Sequence, residues 1–343
     1  MTTCVRGGPL AALLIVGLMP RVGLAAGGAP MPAGTRIVNM VDDFLAYHDA
    51  AKDRPDSRAA LWDARLEAKY RDFFDQIIYR NFKDAQRAEQ KAYCLKSFWT
   101  DVAPKVDDLR TANADAEKRL LALRERFKKA FDGFDPQSDF YLTVSFSFMG
   151  KVVDLNGKPT LAVSLDRFKT DDVEFDITAM HEMFHLHHTK AFSASGAVYR
   201  TLWEEGMATC VAAQLVPGQR DRIYLHFPIP KMNECDRLQA ALSADLLAHL
   251  TDPDPVFRRR YFGAEENPTQ VPPEAGYYVG YRLIERLSKD RSLKALAALT
   301  PDQARAALGP PLKAFAGTIT APEVQALLYP PPPDPKKRGR EGF

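Results

Sequence analysis

Charge imbalance is nearly absent from this chain. Its 343 residues carry 46 basic and 44 acidic side chains, a formal net charge of +2. No electrostatic attraction toward nucleic acid or an anionic membrane surface is therefore expected. A long apolar run is missing too. The apolar stretch at residues 10–19 stops at Pro20-Arg21, well short of the roughly 20 residues that span a bilayer. No repeat period is present, which excludes a solenoid. Cysteine is scarce, four residues in all, and none has the spacing of a metal site.

What is present starts at the N-terminus. Arg6, the apolar stretch and the small residues around Ala25 and Ala26 have the layout of a signal peptide covering residues 1–26. Export to a periplasm or the exterior is expected, with no stable membrane insertion after cleavage; a retained N-terminal anchor is the competing reading. Cys4 precedes the apolar stretch, so no lipoprotein site is indicated. Cleavage leaves Cys94, Cys210 and Cys235. One disulfide plus a thiol, or three buried thiols, are both open.

Residues 27–135 read as an N-terminal helical region. Helical spacing runs through Ile37, Val38, Val41, Phe44, Leu45 and His48, then over residues 58–80 and 101–131. The period changes next: residues 140–148 and 160–165 read as strands, with Asn156-Gly157 as a turn. Further helices are expected at 172–190, 196–215, 234–250, 276–289, 293–299, 302–308 and 322–328. The sum is a mainly α chain with a small antiparallel or mixed sheet, an α+β fold. Residues 136–328 form its second region, and residues 329–343 a Pro-rich, basic tail expected to be disordered.

The chemistry concentrates in His181-Glu182-Met183-Phe184-His185, a complete H-E-x-x-H. On a helix the two histidines lie one turn apart on one face, so both imidazoles reach one ion. Glu182 sits about 100° around the axis, placed to take a proton from water beside that ion. A catalytic zinc needs a third protein ligand and an open position. Glu204 and Glu205, in Trp203-Glu204-Glu205-Gly206-Met207-Ala208, are the candidates; twenty residues separate His185 from Glu205, enough for a turn and an antiparallel return. Gly206 and Ala208 are expected to let this helix approach the first. His187 and His188 are read as non-ligands, since His188 lies about 10 Å along the axis from His181.

These residues resemble the gluzincins, zinc peptidases that pair H-E-x-x-H with a downstream glutamate. The chain is most similar to bacterial zinc-dependent peptidases with H-E-x-x-H, E-G-[LM]-A and G-Y-x-x-G-Y, here His181–His185, Glu205-Gly206-Met207-Ala208 and Gly276-Tyr277-Tyr278-Val279-Gly280-Tyr281. The resemblance covers residues 161–287. It implies a zincin-like core, Glu205 as third ligand, one Zn2+ per chain, Glu182 as general base and a peptide or protein substrate. It further implies that residues 160–165 form the edge strand along which extended peptide pairs. Tyr277 is the first candidate for stabilising the oxyanion, with Tyr278, Tyr281 and His226 behind it; two core tyrosines are the plainer alternative. Thermolysin-type enzymes place an aspartate four residues after the ligand glutamate, where this chain has Thr209. A di-iron site is disfavoured because no second Glu-x-x-His occurs. A metal- or partner-binding protein without turnover, or a zinc hydrolase acting on a non-protein amide, are the rival functions. The sequence sets no oligomeric state.

Overall fold

A computed structural model describes residues 36–134, 138–168, 173–188, 196–265 and 268–331. The expected signal peptide lies outside the described residues, as does the tail from residue 332 onward. The chain divides into two compact units: Met1–Lys190 with Val211–Gly218, and Ala191–Cys210 with Gln219–Phe343.

In the first unit, strand β1 (Ile37–Asn39) leads into helix α1 (Val41–Ala51), and the Asn39 side chain accepts a hydrogen bond from the Val41 backbone N–H at 3.0 Å. Short helices α2 (Arg58–Trp62) and α3 (Arg71–Phe73) follow, then α4 (Asp84–Ser97) and the long α5 (Val106–Ala130). Strands β2 (Phe140–Thr143), β3 (Gly150–Leu155) and β4 (Lys158–Ser164) precede helix α6 (Val173–His188). The sheet order is β1-β2-β4-β3, with β1, β2 and β4 parallel and β3 antiparallel to β4. Helix α6 packs on β3 and β4, and α5 packs on α6. Phe44, Trp62, Phe98 and Phe146 meet ring to ring in an aromatic core, and Phe73 stacks on Tyr141 at 4.7 Å.

Several expectations are corrected here. Ile37 and Val38 belong to a strand, because β1 finds its hydrogen-bond partners on β2, a hundred residues away in sequence. The helix expected over residues 58–80 is broken at Tyr70, where φ is −122°. There the Lys69 ammonium and the Tyr70 hydroxyl both reach Asp43 on α1, at 2.7 and 2.5 Å. The strand expected over residues 140–148 ends at Thr143. Beyond it the Ser145 hydroxyl oxygen accepts from the Phe148 N–H at 3.0 Å and the hydroxyl donates to the Phe148 carbonyl at 2.6 Å, closing a turn with Phe146 at φ 65°. The hairpin partner across Asn156-Gly157 is therefore β3. Strand β4, which contains residues 160–164, is paired on both sides, so the edge position beside α6 falls to β3.

The second unit holds most of helix α7 (Val198–Leu215), whose residues from Val211 belong to the first. Helices α8 (Asp221–Tyr224), α9 (Ile229–Ala248), α10 (Pro255–Phe262), α11 (Ala275–Leu287), α12 (Leu293–Ala297), α13 (Pro301–Ala316) and α14 (Ala321–Leu328) complete it. Helices α11, α13 and α14 all pack on α9. Helix α13 outruns its expected end at Leu308, because Leu312 and Ala316 continue the buried stripe begun by Ala304 and Leu308. The fold is α+β, mostly helical with one small mixed sheet. No described helix is long and apolar enough to cross a membrane. Cys94, Cys210 and Cys235 are free and buried, so three buried thiols is the arrangement realised. Burial raises all three thiols, Cys94 and Cys235 to about 12.

Candidate metal centre

Helix α6 is buried over most of its length, with Phe175, Ile177, Met180, Met183 and Phe184 anchoring it. Burying such a helix also buries its polar residues, so His181 and His185 need partners within the protein. Their one-turn spacing brings the two Nε2 atoms to 3.0 Å. Two nitrogens on one tetrahedral zinc stand about 3.3 Å apart, given bonds of about 2.0–2.1 Å, so the pair is set close to a chelating geometry. Glu205 completes the group: its carboxylate and the two imidazoles offer ligand atoms that all lie within 4.8 Å of one another, and all three residues are buried. This is the one cluster of three or more such ligands among the described residues. The group could hold a metal ion, and two imidazoles with one carboxylate are a donor set suited to a borderline divalent cation.

Glu205 owes its position to the way α7 is held. The N-terminus of α7 is satisfied by the Leu250 and Asp252 carbonyls, which accept from Tyr199 and Val198 at 2.9 and 3.1 Å. Next to Glu205, Gly206 meets α11: a Cβ added there would sit 2.4 Å from the Gly280 carbonyl oxygen. Gly206 was expected to serve the approach of α7 to the histidine helix; its tight contact is instead with Gly280. Two of the three sequence motifs thus touch through their glycines.

The choice between the adjacent glutamates follows from their partners. Glu204 is engaged by Arg200, one turn back on α7, at 3.2 Å, while Glu205 joins the histidines. Arg200 at the i−4 position was the signal in the sequence that could have separated them. Thr209 does not replace the aspartate of thermolysin-type enzymes, since its hydroxyl donates to the Glu205 carbonyl at 2.8 Å.

Glu182 is 3% exposed and borders Gly150, the first residue of β3. A Cβ at Gly150 would come within 2.7 Å of Glu182 Cγ and 2.4 Å of Thr178 Cγ2. Sequence reasoning passed over Gly150; a glycine opening a strand before the motif helix was its only signal.

The tyrosines of the third motif separate. The Tyr278 hydroxyl donates to Asp236 at 2.7 Å and the Tyr281 hydroxyl to Asp221 at 3.0 Å; burial and these carboxylates push both phenols above their ordinary range. Tyr277 is buried with its ring edge-on to Phe262. His187 lies among Phe127, Phe131 and Phe134, where burial lowers its pKa, and His188 stacks on Phe184 at 5.0 Å. Neither belongs to the metal-ligand group. His226 sits in the loop before α9 with φ 53°.

The chain matches no family model, no curated protein and no solved structure.

Proposed function

We propose that this protein is an exported zinc-dependent metallopeptidase. The observation that carries the reading is the convergence of His181, His185 and Glu205, with Glu182 on the same buried helix turn as His181. A bound zinc ion supplies Lewis acidity toward water and a substrate carbonyl. Glu182 takes the proton of the attacking water and returns it to the leaving amine. The glycine at position 150 leaves the Glu182 side chain space that a Cβ there would fill. Tyr277 donates a hydrogen bond to the oxyanion; the hydroxyls of Tyr278 and Tyr281 are directed to Asp236 and Asp221. Extended peptide pairs with the outer edge of β3, which has no strand on that side among the described residues.

The test is Glu182→Gln. The variant keeps about one zinc per chain, as three-ligand catalytic sites do, and loses hydrolysis of a peptide library by about 10²–10⁴-fold. A wild type that holds one zinc yet cleaves no member of the library would replace this reading with a metal-binding protein lacking turnover.

A further inference from the structure

Arg80 and Lys151 are two cations of the first unit without an ion-pair partner among the described residues. Lys151 is the second residue of β3, next to the glycine that borders Glu182. It is half-buried, and no carboxylate among the described residues lies within ion-pair distance; its ammonium faces the Phe148 ring at 5.6 Å. Arg80, exposed and with φ 51°, follows the Phe74–Ile78 turn that packs against β3. It too has no carboxylate within ion-pair distance among the described residues. That turn is fastened to the β3–β4 hairpin, since Gln76 and Asp72 both hydrogen-bond Asn156 at 2.7 Å. Burial holds the Lys151 pKa down, the Arg80 charge adds to that effect and the Glu182 charge opposes it.

Four other part-buried cations in this unit are neutralised. Lys91 pairs with Asp63 and Glu67, Arg87 with Glu67 and Asp75, Lys158 with Asp139 and Arg119 with Asp176. Partial burial of an ammonium without a counter-ion is unfavourable, and an incoming anion relieves it. The edge strand and the general base beside it make a peptide the natural carrier of that anion.

We propose that Lys151, with Arg80, receives a carboxylate of the substrate, either an acidic side chain or a free C-terminus near the scissile bond. The inference rests on the metallopeptidase reading. Its test is calorimetric binding of peptide hydroxamates to the zinc-loaded full chain, in two pairs: glutamate against glutamine side chains, and free acid against amide C-terminus. In at least one pair the acid binds about ten-fold tighter, as charge-assisted hydrogen bonds do, and the pair that responds names the source of the carboxylate. Lys151→Met erases the preference, Lys151→Arg retains it and Lys151→Glu inverts it, with zinc content unchanged. Should Lys151→Met fold poorly, Arg80→Asn at its exposed, left-handed position weakens the same preference. Equal binding of acid and neutral forms by the wild type, or a preference that survives Lys151→Met, overturns the proposal alone. Failure of every hydroxamate to bind the zinc-loaded chain overturns the metallopeptidase reading with it.

Discussion

Gly206 and Gly280 meet backbone to backbone: a Cβ on Gly206 would lie 2.4 Å from the Gly280 carbonyl oxygen, and one on Gly280 2.6 Å from the Leu202 carbonyl oxygen. Because the obstructing atoms are main chain, a methyl group forces α7 and α11 apart. Gly206→Ala is expected to cost about 1–3 kcal/mol in stability and, by moving the neighbouring Glu205, to weaken metal binding. Calorimetric melting and competition with a zinc chelator measure the two effects separately. Unchanged zinc affinity in a destabilised Gly206→Ala protein would show that the contact serves packing alone.

The two adjacent glutamates should respond to truncation in opposite ways. Glu205→Ala is expected to lose most of the bound metal, from about one ion per chain, because it removes a ligand of the buried group. Glu204→Ala should keep the metal and melt earlier, since it removes a buried carboxylate partner of the Arg200 guanidinium. Elemental analysis of both variants decides, and the reverse pattern would transfer the ligand role to Glu204.

Phenylalanine substitution divides the three tyrosines by function. Tyr278→Phe and Tyr281→Phe each delete a hydrogen bond to aspartate and are expected to lower stability by about 1–3 kcal/mol. Tyr277→Phe should lower kcat more than either of these substitutions, with KM little changed. Equal kcat losses in all three would mark the tyrosines as packing residues.

Asp166 gives the fold a pH dependence. Its carboxylate accepts from the Ser164 hydroxyl and from the Ser145 N–H, the latter at 3.1 Å, yet burial outweighs these bonds and raises its pKa. The folded state therefore binds the Asp166 proton more tightly than the unfolded state does. Below the unfolded pKa of about 3.9 both states are protonated; as pH climbs from there through the raised folded value, stability is lost. Asp166→Asn, which cannot ionise, should flatten that segment of the stability curve, as urea titrations at stepped pH will show. An unaltered curve would assign the dependence to other groups.

The helices that carry the candidate site were legible because each is apolar around much of its circumference and bounded by turn residues. α6 and α7 fall within two residues of their expected limits at both ends. Elements defined by distant partners were not legible. β1 has three residues whose apolar phase merges with that of α1, and only its pairing with Phe140, Tyr141 and Leu142 makes it a strand. β3 opens on glycine and lysine and is a strand because β4 lies beside it. α4 is so polar that little periodicity marks it, with only Cys94 and Ser97 buried. At the metal centre the histidine spacing stood in the sequence, whereas the contacts of Gly206 with Gly280 and of Gly150 with Glu182 join residues from separate elements. No local pattern announces a close approach of that kind.

The three thiols bear on how the protein can be handled. Cys94, Cys210 and Cys235 are free, buried side chains, each with its thiolate disfavoured by burial. Among the described residues no covalent cross-link contributes to the fold, and the sulfur atoms are poor nucleophiles toward oxidants and alkylating agents. A reducing medium therefore breaks no bond at these three positions, and the folded chain is expected to tolerate it.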